Sequence, residues 1–201
     1  MITSYSGFTS IDDLQQLHIQ VKRTSLFDKI TLVQPSNLLQ ETVRINRQLP
    51  LGNEKAKSEM LVAPVLSEIW QRNKDFCTLF SGYTLDADKE NGLTGRCDFL
   101  FSNVNTIVVE APIITIVEAK NDNVDDAVPQ CAAQMLAAKL YNEKKNASVP
   151  SIYGAATTGF EWLFMRLDGS TAFVDTEVYQ LRALPELLGV LQHVVDFYKN
   201  A

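Results

Sequence analysis

Histidine and cysteine are scarce in this chain. It has two histidines, His18 and His193, and three cysteines, Cys77, Cys97 and Cys131. No two cysteines make a C-x-x-C pair, and the histidines are far from one another, so no zinc-ligand spacing exists. An odd, scattered set of thiols in apolar surroundings reads as small buried hydrophobes rather than a disulfide framework. Long apolar runs are missing too. The best candidate, around Ile107 to Val117, is broken by Glu110 and Pro112, so no membrane span is expected. The opening "MITSYSGFTSIDDL" lacks a basic stretch followed by an apolar one, so no secretion signal is expected and the default is a cytoplasmic protein. Positive charge is in deficit, with 18 Lys and Arg against 24 Asp and Glu and a net charge of −6. That argues against a broad nucleic-acid surface, which neutralises phosphates with clustered cations. It leaves room for a local basic strip beside an acidic metal site. Basic residues do gather at Lys55 and Lys57 and at Lys139, Lys144 and Lys145, although each group alone reads as a solvated helix face.

What is present is enough for one domain with a respectable core: 201 residues, nearly half of them apolar. In residues 1–50, a helical and strand-like extension, the pattern suggests a helix near Ile11 to Val21, a strand in "KITLVQP" and a helix from Ser36 to Arg47. After the breakers in "LPLGN", the stretch "NEKAKSEMLVAPVLSEIWQR" reads as an amphipathic helix. Asn53 is its N-cap, Leu61, Val65 or Leu66, and Ile69 lie at helical spacing, and Pro64 predicts a kink or a delayed start. "FCTLFSGYTL", "GRCDFLFS" and "IITIVEAK" are short and rich in β-branched and aromatic residues, which favours strands, with turns at "KENG" and "SNVN". An Ala-rich helix is expected from Pro129 to Lys144, packed closely on a sheet. "SIYGAATTGF", "EWLFMRLDG" and "TAFVDT" return to strand character, the last two joined by a "DGS" turn. A C-terminal helix over residues 183–199 starts at Pro185. Strands separated by a crossover helix imply an α/β (or α+β) single domain, 1–201, with a mixed sheet flanked by helices.

One apolar run ends in charge. In "IITIVEAKNDN", Glu118 and Lys120 are two apart and share a strand face, with Ala119 on the other. On the preceding strand Arg96, Asp98 and Leu100 share one face, and Cys97, Phe99 and Phe101 the other. If the two strands pair antiparallel, Asp98 and Glu118 stand side by side. Two carboxylates so placed repel unless a cation lies between them, and a hard divalent ion with oxygen ligands, Mg²⁺ or Mn²⁺, suits the pair. Lys120 beside that ion would hold a water or stabilise charge on a phosphate oxygen. The plainer reading is a surface ion pair between Glu118 and Lys120 where the strand leaves the core.

Aspartate in "GRCDFLF", E-x-K in "TIVEAK" and a following helix that carries glutamines resemble the PD-(D/E)XK nuclease superfamily, with its restriction endonuclease-like fold. "NEKAKSEMLVAPVL" is similar to the first core helix of nuclease subunits of type I restriction enzymes. "TTGFEW" resembles a "TxGxxW" pattern of small relatives. The resemblance spans residues 53–167; Cys97 stands where the family's name has proline. It implies metal ligation by Asp98, Glu118 and the Ala119 carbonyl, a water positioned or activated by Lys120, and a supporting carboxylate at Glu54, with Glu59 as the alternative. Gln130 or Gln134 would steady the site or touch substrate. Trp162 and Phe164 are either base-stacking or core residues. The implied activity is Mg²⁺-dependent phosphodiester hydrolysis in nucleic acid, in the first place DNA, with a homodimer attractive for double-strand cutting. A catalytically silent nuclease-fold binding or assembly module is the alternative, and a small-molecule or protein-interaction domain is a third.

Overall fold

The computed structural model describes residues 2–147 and 149–200. Seven strands form one mixed sheet: β1 (Gln20–Thr24), β2 (Thr78–Thr84), β3 (Arg96–Ser102), β4 (Ile113–Ala119), β5 (Ile152–Thr157), β6 (Glu161–Asp168) and β7 (Thr171–Gln180). Their spatial order is β1-β7-β6-β5-β4-β3-β2. The β1/β7 and β4/β5 pairs are parallel and the other four antiparallel. Every residue of β4 and β5 is buried, as expected for central strands covered on both faces.

Five helices flank the sheet: α1 (Asn37–Asn46), α2 (Glu54–Lys57), α3 (Ala63–Arg72), α4 (Val128–Lys144) and α5 (Leu184–Lys199). Parallel neighbours need a crossover, and α4 supplies it between β4 and β5. On its face of the sheet, Cys131, Ala132, Met135 and Ala138 pack with Leu100, Ile113, Ile116 and Leu163. Gly154 of β5 lets the helix come close: a Cβ there would lie 3.0 Å from Cys131 Sγ. The opposite face carries α3 and α5, with Val65, Leu66, Ile69, Leu188 and Val195 against Val117, Trp162 and Phe164. Trp162 and Phe164 are thus core residues. All three cysteines are free and buried.

The chain from Glu54 to Arg72 is helical throughout, but the Ser58–Val62 segment between α2 and α3 is a π turn. Pro64, in the first turn of α3, has no N–H to give to the preceding turn, and the widened turn absorbs the lost bond. Asn53 caps α2 by accepting from the Ala56 N–H, and Ser36 caps α1 by accepting from Leu39.

The first fifty residues depart from expectation in two places. The helix expected near Ile11 to Val21 is a 3₁₀ segment, Ile11–Leu17, ended by His18 at φ 55°, and the chain then enters β1 at the sheet edge. "KITLVQP" is not a strand. It lies over α5, where the Val33 N–H donates to Pro185 O and Gly189 gives room for the Thr31 carbonyl. No helix among the described residues is long and apolar enough to cross a membrane.

Candidate active site

β3 and β4 hold their register to Phe99 opposite Val117, so one step further sets Asp98 against Glu118. There the ladder changes character. The Ala119 N–H, which a continuing ladder would give to the β3 main chain, donates instead to Asp98 Oδ2 at 2.8 Å. The Lys120 N–H points the other way, to Thr157 O at 2.8 Å, beyond the parallel β4/β5 pairing. In a trans peptide the carbonyl opposes the next N–H, so the Ala119 carbonyl points away from β5 and toward the Asp98 side.

Strict alternation fails on β3. Cys97 packs on the α4 face together with Leu100, while Phe99 and Phe101 face α3 and α5. The expectation that Cys97 shares a face with Phe99 is therefore corrected. The break falls where β2 presents Gly82 at φ 64°, between the Ser81–Phe99 and Tyr83–Cys97 pairs, a conformation only glycine adopts freely. Asp98 lies at this break and faces a cavity of about 410 Å³, also lined by Glu54, Lys55, Ser58, Glu59, Gly82 and Arg96.

Glu118 is 2% exposed, yet its carboxylate is fully engaged. Oε1 accepts from Lys120 Nζ at 2.8 Å and from Gln130 Nε2, and Oε2 accepts from Gln134 Nε2 at 2.8 Å. Gln130 and Gln134 are one helical turn apart on α4, so both amides reach the same strand residue. Lys120 Nζ is 4.0 Å from Glu54 Oε2 on the facing helix. Glu59 turns to Lys55, at 3.8 Å. Of the two carboxylates at the start of this helix, Glu54 is the one that approaches the E-x-K segment. Lys57 donates to Asn121 O and so ties the helix to the loop that follows Lys120.

Burial pushes the Asp98 carboxyl above its ordinary range, and the charge of Glu54 adds to this against the pull of the Ala119 N–H and Lys120. Burial, then the charge of Asp98, raises Glu118 to about 7. Burial lowers Lys120, but Glu118 in contact outweighs it, and the net shift is upward, favouring the ammonium. Buried Gln134 Oε1 and Asn121 Oδ1 have no hydrogen-bond partner among the described residues.

The structure thus brings together Asp98, Glu118, Ala119, Lys120, Gln130 and Gln134, with Glu54 across the cavity. Among the described residues no group of three or more His, Cys, Asp or Glu forms a metal-holding cluster. The donor chemistry nevertheless suits Mg²⁺, which takes one or two carboxylates and keeps much of its water. Asp98, Glu118 and the Ala119 carbonyl are all hard oxygen donors.

Two neighbours of the site have little sequence signal. Arg96 is an exposed cation two residues before Asp98, and Gly82 matters only through the strand it faces. The other basic cluster is absorbed locally: Lys139 pairs with Glu143 at 3.5 Å, Lys144 donates to Ala87 O, and Lys145 lies over the Tyr141 ring. No family model matches this chain, and no curated protein matches it in sequence.

Proposed function

We propose that the protein is a divalent-cation-dependent nuclease that hydrolyses phosphodiester bonds in DNA, a member in kind of the PD-(D/E)XK nucleases it resembles. The supporting observation is the convergence of Asp98, Glu118 and Lys120 at the ends of adjacent strands, opposite Glu54 on a cavity wall. Asp98, Glu118 and the Ala119 carbonyl would hold Mg²⁺ or Mn²⁺, and Glu54 would support it. The cation, when bound, would neutralise charge growing on the phosphate and the leaving oxygen. Lys120 as an ammonium adds positive charge where a phosphate oxygen or the attacking water is held. Gln130 and Gln134 fix the Glu118 carboxylate so that it stays aimed, since both amides donate to it. In the reaction the water oxygen joins phosphorus and gives up a proton to solvent, one P–O ester bond breaks, and the leaving oxygen takes up a proton from solvent. Cutting both strands of a duplex with one site per chain favours a homodimer.

A second reading rests on one observation. Glu118 is satisfied by the protein's own Lys120, Gln130 and Gln134, a set that is stable without an ion. That suits a nuclease-fold binding or assembly module with a silent site. Incubation of plasmid and linear DNA with Mg²⁺ or Mn²⁺ separates the two. The enzyme reading expects cleavage by the wild type that is lost in Asp98→Ala and Lys120→Ala. Equal cutting by all three proteins would mark a contaminant and remove the assignment. No cutting, with calorimetric Mg²⁺ or Mn²⁺ binding that Asp98→Ala abolishes, would favour the silent module.

A further inference from the structure

The cavity beside Asp98 has cations in its wall, and they are not equivalent. Lys55 is 3.8 Å from Glu59, whereas Arg96 has no carboxylate within 4.0 Å among the described residues. It rests instead against the main chain of the neighbouring strand. The guanidinium lies over Gly82 so closely that a Cβ there would stand 2.7 Å from Nε and 2.8 Å from Cζ. Gly82 also holds φ 64°, so both the strand's shape and the bed for the guanidinium depend on a missing side chain. Arg96 is close enough to Asp98 to favour its charged form. A planar cation with five donors, held against main chain and facing a cavity, is built to take a tetrahedral oxyanion through two parallel bonds.

We propose that Arg96, seated on Gly82, grips a backbone phosphate of the DNA strand lying in this cavity and so sets the strand's position relative to Asp98 and Glu118. This rests on the nuclease reading for the substrate but assigns a positioning residue which that reading does not require. The strand would enter between β2 and the helix start at Glu54 to Ser58, with Ser58 and Ser81 on the same wall. Contact with phosphate alone carries no sequence preference.

The test is fluorescence anisotropy of a labelled DNA duplex in Ca²⁺ across a salt series, with cleavage of the same duplex in Mg²⁺ measured separately. Arg96→Gln is expected to weaken binding about tenfold. It should flatten the slope of log affinity against log salt by about 0.9, the share of one phosphate contact. Arg96→Lys should keep the slope and recover only part of the affinity, and Lys145→Gln, at the far end of α4, should change neither. Gly82→Ala should resemble Arg96→Gln if it melts as a folded protein. Duplex binding by the wild type with an unchanged slope in Arg96→Gln would overturn the role of Arg96 and leave the nuclease reading standing. No duplex binding by the wild type would overturn both.

Discussion

Lys120 Nζ lies 2.8 Å from Glu118 Oε1, and the same carboxylate accepts from the α4 amides of Gln130 and Gln134. Lys120 itself is 25% exposed, so the ion pair reaches from the interior toward solvent. A pair like this is costly to leave half-made, because removing the cation strands a buried charge. It also makes the site's electrostatics a stability matter, which solution measurements can read without knowledge of the substrate.

The first consequence is a pH dependence. Glu118 titrates near 4.5 in an unfolded chain and is raised to about 7 here by burial and by Asp98. Between these values the native state holds more protons than the unfolded one, so stability falls as pH rises through that window. Glu118→Gln keeps the shape and removes the charge. Its Nε2 cannot accept from Gln134 as Oε2 does, but a flipped Gln134 amide, whose Oε1 has no partner among the described residues, can accept from it. The variant should melt higher than the wild type above pH 7, by up to about 3 kcal/mol, and the gap should close toward pH 4.5. Parallel melting curves for the two proteins over this range would refute the shift.

Asp98 and Lys120 should separate metal affinity from turnover. Asp98→Ala is expected to lose Mg²⁺ or Mn²⁺ binding by calorimetry and cleavage together. Lys120→Ala should retain cation binding, because an added divalent ion replaces the lost partner of Glu118, while cleavage drops by about 10²–10⁴-fold. Loss of both properties in Lys120→Ala would reduce the lysine to a structural counter-ion.

Much of this arrangement is legible in the residues. β4 announces itself by its apolar run, Asn53 by its capping position, and the α4 contact by its alanines. Asp98, Glu118 and Lys120 follow from two-residue spacing and an antiparallel pair. What escapes is decided by distant partners. "KITLVQP" has strand composition, but Thr31 and Val33 lie against α5, at Gly189 and Pro185, far along the chain. β1, "QVKRT", is a half-exposed edge strand with no apolar alternation to reveal it. The faces of Cys97 and Asp98 depend on Gly82 on another strand, and the fully engaged Glu118 depends on two glutamines whose role no local pattern specifies.

Two glycines test how helix packing fixes the sheet. A Cβ at Gly189 in α5 would lie 2.5 Å from Thr31 O and 2.6 Å from Ile30 Cγ2. The obstacle includes main chain, so Gly189→Ala should cost about 1–3 kcal/mol, despite alanine's better helix propensity. At Gly154 the clash is with Met135 Sδ, the pliant end of a side chain. Gly154→Ala should cost less. Urea unfolding of both variants orders them, and a larger loss at Gly154 would contradict the assignment of the rigid contact to α5.

Asn142 tests the other end of β4, away from the site. Its Oδ1 accepts from the Ile113 N–H and its Nδ2 donates to the Ile113 carbonyl, both at 2.7 Å and both buried. One side chain on α4 thus completes the main-chain bonding at the first residue of the central strand. Asn142→Leu fills the space but leaves an N–H and a C=O without partners, at about 1–3 kcal/mol each. The urea midpoint should fall with an unchanged slope, and amide exchange at Ile113 should accelerate. Asn142→Asp can still accept from the N–H but cannot donate to the carbonyl, and it buries a charge beside that oxygen, so it should be no better than leucine. Cleavage by either variant below its unfolding transition should match the wild type, because Asp98, Glu118 and Lys120 are held by the opposite end of the strand. A midpoint within about 0.5 kcal/mol of the wild type in Asn142→Leu would mean that the Ile113 main chain finds other partners.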